Sequence, residues 1–442
     1  MDLINGNLKK IYIKFLMASF GSALISSIYG LVDMAMVGQY HGPDGAAAMA
    51  VISPVWNLVY GFGLLIGIGG SVLYGVMRGT EGEGRRANGY FTASVIFGAL
   101  ISVILTVVLL LWEEPLLYFF GADEKLLPLC KEYLALPKFT APIYVFINII
   151  SAFLRNDSAP GLATKSVIAG GVFNVFGDYF FVFTLDMGIK GAGIATAMGA
   201  GFSMIIMLTH FFSKKNTLRF VRIHNLPRKF VKISVSGFSS FIIDVAMGVL
   251  TVLFNRQIMK YLDSNALAVY GVIVAVSTLV QCCAYGVGQA AQPIISQNYG
   301  AKKYDRIRKV LKYSAVTSAI LGAIWAVMFM ALPQTFVKLF MTPTGQVLSA
   351  APHIVRIYAL SFFLLPFNVY STYHFQAIMK PGVSMAVSVC RGILISGAFI
   401  LALPAVFGGD SVWWAMPITE TLVAAYVIFS LVRENKKEKI QM

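Results

Sequence analysis

The feature that most constrains this chain is a series of twelve apolar stretches, each long enough to cross the ~30 Å hydrocarbon core of a membrane as a helix. In chain order they lie at 11–37, 46–76, 90–112, 133–154, 164–184, 191–212, 232–259, 266–297, 311–336, 354–379, 382–405 and 412–432. We number them spans 1 to 12. The pattern predicts an all-α integral membrane protein with twelve transmembrane helices.

Composition indicates the same solvent for most of the chain. Charged residues make up 12% of the sequence and hydrophobic residues 57%, whereas soluble domains carry roughly 25% charged residues. So few charges cannot cover a water-facing surface without leaving large exposed apolar patches. These values argue against a soluble enzyme. Three lysines, at positions 9, 10 and 14, lie at the start of the first stretch, as in the basic region of a signal peptide, but the stretch is too long and lacks a convincing cleavage site, so we expect a retained helix.

The basic residues are distributed unequally between the two sides of the predicted spans. With a cytoplasmic N-terminus, 26 Lys and Arg residues fall on the cytoplasmic side, 8 fall on the other, and Arg391 lies inside a span. The positive-inside rule therefore predicts a multi-pass protein of the plasma or inner membrane with both termini cytoplasmic. We attribute the net charge of +15 to topology and to contact with anionic membrane lipids rather than to nucleic-acid binding.

The two halves of the chain repeat one another at an ungapped offset of 221 residues. The matched pairs include Gly67 with Gly288, Gly79 with Gly300, Arg85 with Arg306 and Pro160 with Pro381. Because each half crosses the membrane an even number of times, the repeats must be parallel. We predict two pseudo-symmetric six-helix bundles facing each other across a central cleft, as in many transporters. They are an N-lobe at 1–212 and a C-lobe at 232–442, joined by a basic linker at 213–231.

Motifs for catalysis and for energy coupling are missing from the sequence. There is no Gly-Lys pair, and hence no P-loop, and there is no HExxH or GxSxG motif. The four cysteines show no CxxC spacing for zinc or redox chemistry. A membrane-embedded enzyme would need a nucleophile and a base within the spans, and neither His374 nor the cysteines provide them convincingly. We therefore expect no enzyme activity and no cofactor.

Ionisable residues deep in an apolar span are costly and usually mark an ion path or a structural pair. Asp33 lies in span 1, and Asn174 and Asp178 are four residues apart in span 5, so both face the same side of that helix. Thr196 in span 6 could meet this side within the N-lobe. Carboxylate, amide and hydroxyl oxygens suit a hard cation such as Na⁺, and a buried carboxyl group can also hold a proton.

The repeat provides an internal control for this cluster. At the 221 offset the four positions hold Phe254, Ile395, Phe399 and Pro417. A residue needed only for the fold is expected in both copies, so the asymmetry favours a functional role for Asp33 and Asp178. For Asn174 and Thr196, hydrogen bonding between helices is an equal alternative.

The C-lobe has buried charges of its own. Arg391 in span 11 and Glu420 in span 12 could form an ion pair that relieves both desolvation costs, and we favour a structural role for them.

Four further polar residues are candidates for the substrate cleft. Asp244 in span 7 could bind a cationic substrate or a proton there, or bond locally to a neighbour such as Ser240. Tyr270, Gln281 and Gln289 of span 8 could line the cleft beside it.

Three segments resemble the multidrug and toxic compound extrusion (MATE) family. They are Leu-Val-Asp-Met-Ala-Met-Val-Gly at 31–38, Asn174-x-x-x-Asp178, and Gly-Val-Gly-Gln-Ala-Ala-Gln-Pro-Ile-Ile-Ser-Gln-Asn-Tyr-Gly at 286–300. The last segment is similar to the MepA-type branch. The resemblance covers both halves of the chain.

The resemblance implies that Asp33, Asn174, Asp178 and Thr196 line an N-lobe site for sodium ions or protons. It also relates Asp244, Arg391 and Glu420 to charged positions of the same branch. The NorM-type branch has an acidic residue in span 10 for a second cation site. The chain has none at 354–379, so we expect no second site.

Together these features predict a secondary active exporter, functional as a monomer. It would exchange organic, cationic, drug-like small molecules for H⁺ or Na⁺. The alternative is a flippase that exports a lipid-linked saccharide, although such proteins often have two further spans and a more cationic cleft. A passive channel fits the two-lobe repeat and its one-sided ion cluster less well.

Overall fold

The computed structural model describes residues 2–341 and 343–441. Across this part of the chain the regular structure is helical and contains no strand. Twelve of the helical segments are long and apolar enough to cross a membrane. The prediction of an all-α membrane protein with twelve spans is therefore confirmed.

The observed spans extend most of the predicted ones by several residues. Spans 1 to 6 are Leu8–Gly42, Asp44–Gly79, Gly84–Leu111, Pro137–Asn156, Pro160–Thr184 and Gly188–Phe212. Spans 7 to 12 are Leu226–Tyr261, Ser264–Gly300, Tyr304–Ala331, Gly345–Ala377, Pro381–Phe407 and Gly409–Glu434. The helical pitch widens locally in span 5 and in span 11, where π-helical segments occupy Tyr179–Thr184 and Cys390–Leu394.

Short helices that the sequence did not predict lie at Glu113–Phe119, Leu126–Leu134 and Pro333–Phe340. They correct two predicted boundaries: span 4 begins at Pro137 rather than at residue 133, and span 9 ends at Ala331 rather than at residue 336. Proline explains both corrections. It lacks an amide hydrogen and is well suited to the first turn of a helix but not to its interior.

Spans 1 and 2 follow each other almost without a loop. The break falls at Gly42, whose φ of 64° and ψ of −147° interrupt the helix. Side chains other than glycine rarely adopt this positive φ. Span 1 starts where it does because the Asn7 side chain accepts a hydrogen bond from the Lys10 amide at 3.1 Å.

The chain divides into two compact units. Unit 1 comprises Met1–Asp244 with Ser296–Lys302, and unit 2 comprises Val245–Ile295 with Lys303–Met442. All of spans 1 to 6 belong to unit 1. The lobe boundaries at 1–212 and 232–442 and the linker at 213–231 stay a prediction, and we keep the names N-lobe and C-lobe for those ranges.

Candidate functional site

A polar network in unit 1 joins spans 1, 5 and 6. Thr196 Oγ1 donates to Asp33 Oδ2 at 3.4 Å. Asn174 Nδ2 donates to Thr196 Oγ1 at 3.2 Å and to Asp178 Oδ1 at 3.3 Å. The structure thus brings together all four residues that the sequence placed in an N-lobe cluster.

This network is shielded from solvent and short of hydrogen-bond donors. Asp33 is 5% exposed, Asn174 3% and Asp178 0%. Among the described residues, no donor forms a hydrogen bond with Asp33 Oδ1, Asn174 Oδ1 or Asp178 Oδ2, and no basic side chain forms a salt bridge with either aspartate. Buried acceptors without a donor are unfavourable. The three oxygens are therefore available to a cation, and the two carboxyl groups to a proton.

The donor set is not that of a transition-metal site. Within residues 2–341 and 343–441, no group of three or more His, Cys, Asp or Glu side chains could hold a metal ion. Carboxylate, amide and hydroxyl oxygens are instead the ligands that hard cations prefer.

Two tyrosines complete the network, and sequence reasoning missed both. The Tyr133 hydroxyl donates to Asp33 Oδ2 at 3.0 Å, and the Tyr144 hydroxyl donates to the Thr196 carbonyl oxygen at 2.7 Å. Tyr133 lies on the short helix Leu126–Leu134, not on span 4 as the sequence suggested. In the sequence each tyrosine is only a phenolic hydroxyl in or beside an apolar stretch. That position does not reveal that Tyr133 contacts Asp33, which lies 100 residues away.

Small residues and an irregular helix hold the network in place. A Cβ atom added to Gly193 would lie 2.1 Å from the Tyr133 carbonyl oxygen, so only glycine lets span 6 approach this short helix. A Cβ on Gly199 would lie 2.8 Å from the Gly170 carbonyl oxygen, which brings spans 5 and 6 together beside Asn174. The π-helical segment of span 5 begins directly after Asp178, and such segments often occur at functional sites.

Unit 2 contains a different buried arrangement. Arg391 Nε donates to Glu420 Oε1 at 2.7 Å, and Asn368 Nδ2 donates to Glu420 Oε2 at 2.6 Å. Both carboxylate oxygens therefore have donors. The ion pair lies on spans 11 and 12, where the sequence placed it, and Asn368 on span 10 is an additional partner that sequence reasoning missed.

The candidate cleft residues are divided between the units. Asp244 is half-buried in span 7 and is the last residue of the long segment of unit 1. In unit 2, Gln281 Nε2 lies 2.9 Å from the Tyr285 hydroxyl oxygen, and the Tyr270 ring stacks on Phe254 with centroids 4.8 Å apart. Gln289 of the same span is buried. The grouping of these four residues in one cleft stays a prediction.

Comparison with known proteins places the chain among membrane transporters. The MatE family model matches residues 18–180 and 238–399. The multidrug export protein MepA of Staphylococcus saprophyticus is 22% identical over 417 residues, which cover 93% of this chain and 91% of that protein.

Solved structures agree in fold over almost the whole chain. An outward-facing multidrug resistance MATE family transporter of the MOP superfamily aligns with a TM-score of 0.89 at 19% identity, covering 99% of this chain and 98% of that one. A MOP superfamily transporter from Pyrococcus furiosus aligns with a TM-score of 0.88 at 19% identity, covering 98% and 97%. For that transporter, the reverse polarity of the binding pocket suggests a different function.

Proposed function

The chain belongs to the MatE family, and from this premise we propose that it is a secondary active multidrug efflux antiporter. It exports organic, cationic small molecules from the cell in exchange for H⁺ or Na⁺. The family and the twelve candidate spans indicate a multi-pass transporter of the plasma membrane. Both termini are proposed to be cytoplasmic, on the strength of the positive-inside distribution.

The observation that carries the proposal is the set of three buried oxygens, on Asp33, Asn174 and Asp178, that have no hydrogen-bond partner within the part of the chain that the structure describes. Two buried carboxylates in one network, with no salt bridge to either among the described residues, bear the cost of desolvation without a compensating cation. A bound proton or Na⁺ removes part of that cost. We assign the coupling ion to this network, with Thr196 as a further oxygen ligand.

Coupling requires that the ion and the substrate favour different states of the transporter. An ion at Asp33 and Asp178 would change the hydrogen bonds that join span 1 to spans 5 and 6. An organic cation would compete for the same carboxylates, so that one ligand leaves as the other binds. The network is complete within one chain, which supports a functional monomer.

The test is transport of a fluorescent organic cation by inverted vesicles on which a proton gradient and a sodium gradient are imposed separately. We expect one gradient to drive transport by the wild type and Asp178→Asn to reduce it to background. Asp305→Asn is the matched control, because Asp305 is an exposed aspartate at the start of span 9. Undiminished transport by Asp178→Asn would remove Asp178 from the coupling role.

The polarity of the buried site also bears on the alternative of a lipid-linked saccharide flippase. Such a substrate carries phosphate groups and favours a cationic site, whereas the buried network in unit 1 is acidic. The P. furiosus structure shows that this fold is compatible with a pocket of different polarity. If neither gradient drove transport of the dye, the flippase would become the better proposal.

A further inference from the structure

A second candidate site is an apolar groove on unit 1. It has a volume of about 410 Å³ and is lined by ten residues of spans 3, 4 and 6 and of the segment after span 6, all of them apolar. This volume falls within the roughly 300–1,000 Å³ of typical ligand pockets. The groove follows span 4 from Pro142 to Ile150, about 12 Å at the helical rise.

The groove opens onto the surface of the protein. Two of its lining residues, Leu208 and Phe220, are 42% and 66% exposed. Because the stretch from Pro142 to Ile150 lies in the middle of span 4, we expect this part of the groove to lie at the depth of the lipid acyl chains. An occupant can therefore enter sideways from the bilayer.

One end of the groove is formed by a segment that the structure holds in a defined position. Phe220 lies with its ring centroid 5.3 Å from that of Phe91 on span 3. Backbone amides of the same segment donate to side chains of unit 1: Thr217 to Asp157 at 3.0 Å, Arg219 to Asn88 at 3.0 Å, and Val221 to Thr92 at 3.1 Å. These bonds fix the backbone on both sides of Phe220.

The charged side chains of the segment itself are all basic, although its backbone contacts the acidic Asp157 of unit 1. Residues 213–231 contain six Lys and Arg residues and no Asp or Glu. Arg219 and Arg222 are exposed and flank Phe220 in the sequence. Arginine presents a planar set of donors that matches phosphate geometry. The site thus combines an apolar groove with two exposed arginines beside the lining residue Phe220 in the sequence.

We propose that this groove binds one acyl chain of an anionic glycerophospholipid, whose phosphate lies against Arg219 and Arg222. An uncharged hydrocarbon would form no ion pair with the arginines, and free phosphate would form no apolar contact with the groove. A lipid bound in this way ties the segment after span 6 to the membrane surface. This site is separate from the buried network that we assign to the coupling ion.

Native mass spectrometry of the purified full-length chain tests the proposal. The probes are phosphatidylglycerol and phosphatidylcholine with identical acyl chains, each added to delipidated protein, and phosphatidylglycerol in the presence of inorganic phosphate. We expect the wild type to retain at least about fivefold more phosphatidylglycerol than phosphatidylcholine. Inorganic phosphate is expected to leave this retention unchanged.

Two variants separate the parts of the site, each with a matched control. Val95→Trp fills the groove and is expected to reduce retention of both lipids, whereas Val103→Trp, at an exposed position of the same helix outside the groove, is expected to leave it unchanged. Arg219→Gln with Arg222→Gln is expected to lower phosphatidylglycerol retention to the level of phosphatidylcholine. Lys309→Gln with Lys312→Gln, two exposed lysines on span 9, is expected to have no effect.

The proposal is overturned if the wild type retains the two lipids equally or if each variant behaves like its control. Displacement of phosphatidylglycerol by inorganic phosphate would also overturn it, because the acyl chain would then contribute nothing. The arginine variant keeps the proposal testable even if the tryptophan disturbs folding, since both arginines are exposed.

Discussion

The two halves of the chain both bury acidic side chains within their spans, but they compensate the charge differently. In the C-lobe, Glu420 accepts hydrogen bonds on both carboxylate oxygens, one of them from Arg391. In the N-lobe, Asp33 and Asp178 receive only hydroxyl and amide donors, and each keeps one oxygen without a partner among the described residues. A carboxylate paired with a cation suits a structural role, and one without a cation suits the binding of an ion.

The repeat sharpens this contrast. The position that corresponds to Asp33 at the 221 offset is Phe254, which is fully buried in unit 2 and stacks on Tyr270. An aromatic side chain thus forms part of the core at the C-lobe position whose N-lobe equivalent is the carboxyl group of Asp33. The same repeated position therefore holds a core aromatic ring in one copy and a buried carboxyl group in the other, and substitutions can test the role of each separately.

The largest effect on stability is expected from Arg391→Met. This substitution leaves Glu420 buried without its cation, and breaking a buried ion pair in this way costs about 3–5 kcal/mol. The melting temperature of the purified protein in detergent should fall accordingly. The double variant Arg391→Met with Glu420→Leu should recover most of the loss, because it removes the unpaired charge. A single variant as stable as the wild type would show that the pair is not structural.

A smaller effect is expected from Tyr133→Phe, which removes the hydroxyl donor to Asp33. One hydrogen bond contributes about 1 kcal/mol, which corresponds to roughly a fivefold change in affinity for the coupling ion. Transport measured as a function of ion concentration would detect this shift.

Tyr144→Phe is the matched control for that variant, because the Tyr144 hydroxyl contacts a backbone oxygen and no carboxylate. It should lower stability by a similar amount and leave the ion dependence unchanged. Equal ion dependence of the two tyrosine variants would argue against a role for Tyr133 at the ion site.

Asp33→Asn should change stability still less while abolishing coupled transport. The amide keeps an oxygen that can accept the Tyr133 hydrogen bond, and it removes a buried charge, so the free energy of unfolding should stay within about 1 kcal/mol of the wild type. Thermal unfolding and vesicle transport of the same preparation would measure the two properties. A large loss of stability would indicate that Asp33, like Glu420, has a structural role.

The smallest effect on stability is expected at the exposed ion pair in which Lys125 Nζ lies 2.8 Å from Asp44 Oδ2. Solvent screens such pairs, so Lys125→Gln should leave the melting temperature unchanged at neutral pH. The hydrogen bond to Asp44 raises the pKa of Lys125, so any stabilisation is present at neutral pH and is lost as the pH rises through that pKa. A marked fall in melting temperature at pH 7 would contradict this comparison of exposed with buried pairs.

Much of the fold was predictable because lipid imposes a simple requirement on the sequence. Twelve apolar stretches predicted the number and order of the spans, and the span ends in the structure differ from the predicted ones by up to nine residues, at the start of span 10. The short helices were missed because segments such as Leu126–Leu134 are too short to register as spans. The π-helical segments were missed because no apolar period marks a local change of pitch.

Candidate residues were predictable where a charge is costly, and their partners were not. The cost of burying Asp33, Asp178 and Glu420 in an apolar span drew attention to each. The Tyr133 hydroxyl and the Asn368 amide are neutral, so burying them costs less free energy than burying a charge. Their roles are visible only in the contacts that they form with distant segments. Tertiary packing alone determines those contacts.

The most direct test of the account is to measure what the purified protein releases when an organic cation binds. In weakly buffered detergent solution, a pH indicator detects a released proton, and radiolabelled sodium detects a displaced Na⁺. We expect the wild type, and the double variant Arg391→Met with Glu420→Leu, to release one of these ions. Asp33→Asn with Asp178→Asn should release neither. Ion release by the double aspartate variant would contradict the assignment of the coupling ion to the N-lobe. The same assignment would be contradicted if the ion-pair variant lost ion release while the aspartate variant kept it.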